Sequence, residues 1–199
     1  MKMRQIRYPK IAPGLAAVGA LIGLSTLAVA QTNPAGTTSS AKTTLSSADM
    51  KFVKAAAQGG IAEVKLGELA AKQGTSDSVK QFGQKMVDDH SKANDELKQV
   101  ATSKGVTLPS DTDAKSKAIM AKLKKLHGAA FDAAYIKDMK TDHHHDITDF
   151  RKEANGGHDP DVKAFASKTL PVIEEHYKMI SSMGNMGGTM KAHKTNSKM

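Results

Sequence analysis

The stretch AYIKDMKTDHHHDITDF, residues 134–150, decides how the chain is read. Tyr135, Met139, Ile147 and Phe150 recur at intervals that place them on one face of an α-helix, and the segment shows no strand-like alternation. A helix turns about 100° per residue, so His143, His144 and His145 cannot share a face. His143 lies four residues after Met139 and four before Ile147, so it belongs to the apolar stripe. His144 is displaced from that stripe by about 100° and His145 by about 200°, towards the flank and the solvent. A polar ring on the core side of a long helix is the feature to be explained.

Working outward, every long segment carries the same period. Ser46-Ser47-Ala48-Asp49 fits a capping box that opens a first helix, with Phe52, Ala56, Gly59, Leu66 and Ala70 as its apolar face and Gly74 as its end. A second helix starts near Ser76, buries Val79, Phe82, Met86, Ala93, Leu97 and Val100, and stops at Gly105. In the loop that follows, Ser110 and Asp111 are placed to cap a short helix over about 111–126. The histidine-bearing helix spans about 128–155, ahead of Gly156-Gly157. The last helix opens at Asp159-Pro160, an N-cap acid followed by proline in the first turn, and runs to about Met183. Pro171 inside it lacks an amide donor and crowds the carbonyl of Ser167, which predicts a kink or a π-bulge. Four long amphipathic helices on short connections predict an all-α fold, an antiparallel four-helix bundle over 46–183 with a short extra helix between the second and third long ones.

The test applied to His143 gives a repeated result. His90 continues the Phe82-Met86 stripe of the second helix, and His176 lies among Val172, Ile173, Ile180 and Met183 on the last. Glu63 falls between Gly59 and Leu66 on the first. Each long helix therefore brings one ionisable group to the core side near its middle, and mid-helix positions of an antiparallel bundle share a height. An unpaired charge in a core costs several kcal/mol, so the four need a reason. Three neutral imidazoles and a carboxylate suit Zn²⁺, Fe²⁺ or Mn²⁺, which makes Glu63, His90, His143 and His176 candidate metal ligands. The competing reading is a hydrogen-bonded polar layer without metal, in a structural or interaction module. An acid precedes each histidine, in Asp89-His90, Asp142-His143 and Glu175-His176. Displaced by about 100°, each acid can reach a histidine on the neighbouring helix as the outer partner of a ligating imidazole, or ligate directly.

The ends of the chain carry an address rather than a fold. Lys2, Arg4, Arg7 and Lys10 precede an apolar run that closes on Ala28-Val29-Ala30, the pattern of a secretory signal peptide over 1–30 cleaved before Gln31. Export to the periplasm or outer envelope is the expectation, with no transmembrane span in the mature chain. There is no cysteine, so stability rests on packing without disulfides. Residues 31–45 read as a flexible linker and 184–199 as a disordered tail, in which Met186, Met190 and His193 could bind a soft metal such as Cu(I), although their loose spacing favours a merely solvated tail. The net charge of +9 includes four basic residues of the signal, which leaves 25 Lys/Arg against 20 Asp/Glu, or +5, in the mature chain. With three Tyr, five Phe, no Trp and lysines scattered among acids, no nucleic-acid face is expected. No nucleophile constellation or open-site motif is evident, so an enzyme that uses the metal for redox or hydrolysis stands as a third reading behind a metal-binding protein and an interaction module. An envelope protein or a second copy of the chain are the partners left open.

The stretches SSADMKFVKAAAQGGIAEVKLGELA, VKQFGQKMVDDHSKANDELK, KGVTLP, FDAAYIKDMKTDH and DPDVKAFASKTLPVIEEHYKM resemble the exported bacterial domain-of-unknown-function family 4142, whose members are often labelled outer-membrane proteins. The resemblance covers about 45–183 and implies a ferritin-like four-helix bundle. It carries over Glu63, Asp89-His90, Asp142-His143 and Glu175-His176 as motif residues. Di-iron members of the ferritin-like superfamily use Glu-x-x-His on two helices. Here Val87, Lys140 and Ile173 stand three residues before the histidines, so a histidine-rich, mononuclear site is the form expected.

Overall fold

The computed structural model describes residues 44–195, with side chains to 184. The signal segment and all but the last two residues of the linker lie outside the described residues. Among the described residues the chain forms α1 (Ser47–Gln73), α2 (Asp77–Ser103), α3 (Ala114–Leu123), α4 (Gly128–Gly156) and α5 (Pro160–Thr195), and no strand.

Side-chain caps open α1, α2, α3 and α5, whereas α4 starts at His127 without one. Ser46 accepts the amide of Asp49 at 3.1 Å, half of the predicted capping box. The return half is replaced. The Asp49 carboxylate, fully buried, accepts the amides of His158 at 3.0 Å and Asp159 at 3.1 Å and ties the start of α1 to the α4–α5 turn. The cap of α3 is Asp113, which accepts the amide of Ser116 at 2.9 Å, rather than Ser110 or Asp111. Asp111 is drawn away into ion pairs with Lys65 at 2.8 Å and Lys117 at 2.7 Å. Asp159 caps α5 through the amides of Asp161 and Val162. α5 is continuous through Pro171, without a π turn, and Pro171 lies on an exposed side. The helix also passes Met183 and continues to Thr195, into the segment read as a tail. Glycine weakens a helix by about 1 kcal/mol but, unlike proline, removes no hydrogen bond, so Gly184, Gly187 and Gly188 do not end it.

α1 and α2 run antiparallel, since Gly60 meets Asn94 while Gly67 meets Gly83. α4 and α5 do the same, with Arg151 on Glu174 and Ile136 beside Gly184. The face that α1 buries begins with Val53, Ala57 and Gly60, one position on from the predicted Phe52, Ala56 and Gly59, and merges with the prediction at Leu66 and Ala70. Both flanks of this alanine-rich turn are apolar, so periodicity does not separate them.

The core comes in two halves. One packs Leu66, Phe82, Met86, Phe131, Tyr135, Met139 and Ile180. The other packs Val53, Leu97, Phe150, Val162, Phe165 and Ile173. Each long helix crosses from one half to the other at its ionisable residue: Glu63, His90, His143 or His176. The predicted bundle with an extra short helix is the observed fold.

At the Asp49 end the two buried carboxyls behave oppositely. Burial opposes the charge of Asp49, but the amides of His158 and Asp159 and the Ser46 hydroxyl outweigh it and hold the carboxyl below its usual range. Burial, followed by the hydrogen bond to Asp49, pushes Glu153 up to about 7. Glu153 is therefore an acid whose folded-state pKa exceeds its ordinary value of 4.5, so its contribution is full below that value and is lost as pH rises through about 7. Wild type should lose stability relative to Glu153→Gln between about pH 5 and about pH 8. Urea midpoints across that range test this, and parallel curves for the two chains would refute it.

Candidate metal centre

The four predicted core residues converge. Glu63 of α1, His90 of α2, His143 of α4 and His176 of α5 are all buried, His143 and His176 at 0% exposure. The ring centroids lie 5.9 Å apart for His90–His143, 5.2 Å for His90–His176 and 5.5 Å for His143–His176. One ring nitrogen from each of the three histidines falls within 4.8 Å of the others. One atom from each of Glu63, His143 and Asp146 likewise lies within 4.8 Å of the others. The set is a buried histidine–carboxylate cluster able to coordinate a divalent metal.

Hydrogen bonds fix which nitrogen of each ring is available. His143 Nδ1 lies 3.0 Å from the carbonyl of Met139, four residues back on its own helix. A carbonyl only accepts, so Nδ1 carries the proton and Nε2 carries the lone pair. His176 Nε2 lies 3.0 Å from Asp89 Oδ2. Burial opposes the Asp89 charge, but hydrogen bonds from Lys85 and His176 win and hold the carboxyl below its usual range. It accepts from Nε2–H, which leaves the His176 lone pair on Nδ1. His90 Nδ1 lies 2.9 Å from Glu63 Oε2. The remaining atoms, His90 Nε2, His143 Nε2, His176 Nδ1 and Glu63 Oε1, are buried without a hydrogen-bond partner. Burying such groups unsatisfied costs about 1–3 kcal/mol each.

Electrostatics keep the rings neutral. Burial lowers His90 to about 4. Burial, then repulsion from His90 and His176, lowers His143 to about 3. Burial and His90 also lower His176, against the pull of Asp89. Burial raises Glu63 well above the carboxylate range, and Asp142 adds to the shift. Asp146, one oxygen of which lies within 4.8 Å of one of Glu63, is raised well above its range by burial and then by Glu63. Two carboxyls held this close favour a proton or a cation between them.

The acids beside the histidines divide. Asp89 does what the dipeptide pattern predicted, since it holds a histidine of the neighbouring helix. Asp142 is half-buried and raised by burial, and no described side chain hydrogen-bonds to it. Glu175 is exposed and pairs with Lys85 at 3.4 Å, so it reaches His176 only through the Lys85–Asp89 contact of 3.0 Å. Sequence reading missed Asp146, although its place three residues after His143 is a helical neighbour position and was a usable signal. His144 and His145 are exposed, as their phase required.

His143→Ala should cost roughly 1–3 kcal/mol, through the lost imidazole and the Glu63 carboxyl left facing a void. His145→Ala should change stability by less than about 0.5 kcal/mol. Denaturant melts of the two variants check this, and equal losses would contradict the burial of His143.

Among the described residues no helix is long and apolar enough to cross a membrane. No curated protein and no solved structure matches the chain. Residues 34–183 match the family model described as "Domain of unknown function (DUF4142)". The match takes in the four long-helix positions that form the cluster, and with well over half of its length under that description the chain belongs to the DUF4142 family.

Proposed function

We propose that this is an exported metal-binding protein of the periplasm or outer envelope, a ferritin-like bundle that holds one divalent first-row ion for storage, buffering or protection against metal stress. His90, His143 and His176 would hold the ion, Glu63 would supply a carboxylate, and Asp146 would stand against Glu63 as a further oxygen donor. The observation that carries the reading is the set of three ring nitrogens, each buried and each without a hydrogen-bond partner, with the lone pair fixed on that nitrogen in His143 by the Met139 carbonyl and in His176 by the Asp89 carboxylate. Outer partners of that kind orient metal-bound histidines and raise their basicity. The donor set of imidazoles and carboxylates suits Zn²⁺, Fe²⁺ or Mn²⁺ and offers no soft sulfur ligand. The A-x-A pattern at 28–30 supports the export half of the proposal.

Added Zn²⁺ or Mn²⁺ should raise the melting temperature, since binding to the native state contributes RT ln(1 + [L]/Kd), about 2.7 kcal/mol at a hundredfold excess over Kd. Ligation needs neutral rings. Because burial lowers His90 to about 4 and His143 to about 3, ring protonation should not remove the gain at the ordinary histidine value of 6.5. Glu63, which burial raises well above the usual carboxylate range, must release a proton to ligate, so the gain should weaken as falling pH returns that proton. His143→Ala/His176→Ala should abolish it, and His193→Ala, a control for the tail, should not. Absence of any shift with first-row divalent ions at neutral pH would leave a polar packing layer in place of a metal centre.

A further inference from the structure

A cavity of about 270 Å³ opens beside the cluster, and Glu63, His90 and Asp146 form part of its lining. Its α1 wall is apolar and small, built by Phe52, Ala55, Ala56 and Gly59. Its α4 wall is acidic. Asp142, Asp146, Asp149 and Glu153 follow one another at intervals of four, three and four, the spacing of a single helix face, and the last three line the cavity. Asp149 is exposed, Asp146 is half-buried, and Glu63, on the α1 side, is at 5%, while Glu153 at the far end of the series is also buried. Two lining carboxyls more than nine-tenths buried, Glu63 and Glu153, each keep one oxygen, Oε1, without a partner.

The cluster adjoins the Phe82 half of the core. The Phe82 ring lies 6.3 Å from that of His143 and 5.9 Å from that of His176, and Met86, Tyr135 and Met139 pack with it in the adjoining core. A buried metal site needs an entry path. At about 30 Å³ per water, the cavity has room for an ion that retains part of its hydration shell.

We propose that this cavity is the loading route of the metal centre, with the carboxylate series of α4 capturing a hydrated divalent cation at Asp149 and delivering it through Asp146 and Glu63 to the histidines. The inference rests on the metal-binding reading above. Lys51 and Lys152, both exposed, also line the cavity and oppose capture. The four lining carboxyl side chains outnumber them, and both lysines are exposed whereas Glu63, Glu153 and His90 are buried. Water released from the ion on arrival leaves by the same opening.

Gly59 offers a clean plug. A Cβ built there meets nothing within 4 Å, so the helix accepts a side chain, and the space that side chain enters is the cavity. The test uses the full chain and Co²⁺ as the probe, with loading followed by stopped-flow absorbance and affinity measured separately at equilibrium. Gly59→Phe should slow both association and dissociation by on the order of tenfold or more while leaving Kd within about twofold, because a plug changes passage and not the ligands. Gly59→Ala should load like wild type. Asp149→Asn should slow association by about two- to threefold in low salt, with the difference screened away at high salt. Wild-type loading by Gly59→Phe would overturn the route while leaving metal binding intact. Weakened affinity at an unchanged association rate would overturn it equally. Failure of the unplugged chain to bind Co²⁺, Zn²⁺ or Mn²⁺ would overturn the metal reading and the route together.

Discussion

The structure is organised around a layer of three imidazoles and a carboxyl set between two apolar half-cores. Such a layer is expensive, because burial withdraws these groups from water and each must find a partner. Its position therefore constrains everything above and below it. Sliding any one helix by a turn, about 5.4 Å, would drive a histidine into the Phe82–Tyr135 half or the Val162–Phe165 half and leave a hole in the layer. Apolar packing alone is tolerant of such slips, since Leu, Val and Ala exchange contacts at small cost. Polar groups that must meet one another are not, so the layer sets the register of the bundle.

Adjacent residues serve different neighbours within this arrangement. Asp89 turns towards α5 and fixes His176, while His90 turns inward to Glu63. Lys85 joins Asp89 and Glu175 at 3.0 and 3.4 Å, so a chain of charge runs from the surface of α5 across α2 and back to the buried ring of His176. The contact holds a carboxylate ionised next to a buried imidazole, and with it the tautomer that turns the His176 lone pair inward. Exposed ion pairs contribute little stability on their own. This one matters through the orientation that it transmits.

Much of this was legible in the residues, for identifiable reasons. Long stripes such as Phe82-Met86-His90 and Tyr135-Met139-His143 carry phase information that survives without any knowledge of neighbours, and they located the cluster. What failed depends on tertiary context. On α1 the alanines and glycines of 55–60 are apolar all round, so the buried face was read one residue early. Asp49 looked like the return half of a capping box, yet the α4–α5 turn, more than a hundred positions away, offered two amides that compete for it. Asp111 lost its role as a cap to lysines that only the fold brings near. Asp146 escaped notice because an acid on a helix flank is commonplace until Glu63 of another helix is set against it. Glu175 shared the acid–histidine pattern with Asp89 but occupies the outer side of α5. A dipeptide fixes the angle between two side chains and says nothing of which neighbour stands along it.

The close approach of α1 and α2 bears on the centre in a different way. A Cβ on Gly67 would stand 2.6 Å from the carbonyl oxygen of Gly83, and one on Gly60 would stand 2.0 Å from Asn94 Oδ1. These two contacts bracket the Glu63–His90 pair, one turn to either side on α1. Gly67, with backbone against it, thereby acts as a gauge for the gap between the two helices, whereas Gly60 faces only the Asn94 side chain, which can turn aside. Alanine at 67 would wedge the helices apart and lengthen the Glu63–His90 hydrogen bond from its 2.9 Å. First-row divalent ions differ in radius by only about a tenth of an ångström or two, comparable with the differences among their ligand distances. Discrimination by size at the proposed centre would thus be written in backbone spacing, at a residue that has no side chain with which to touch an ion.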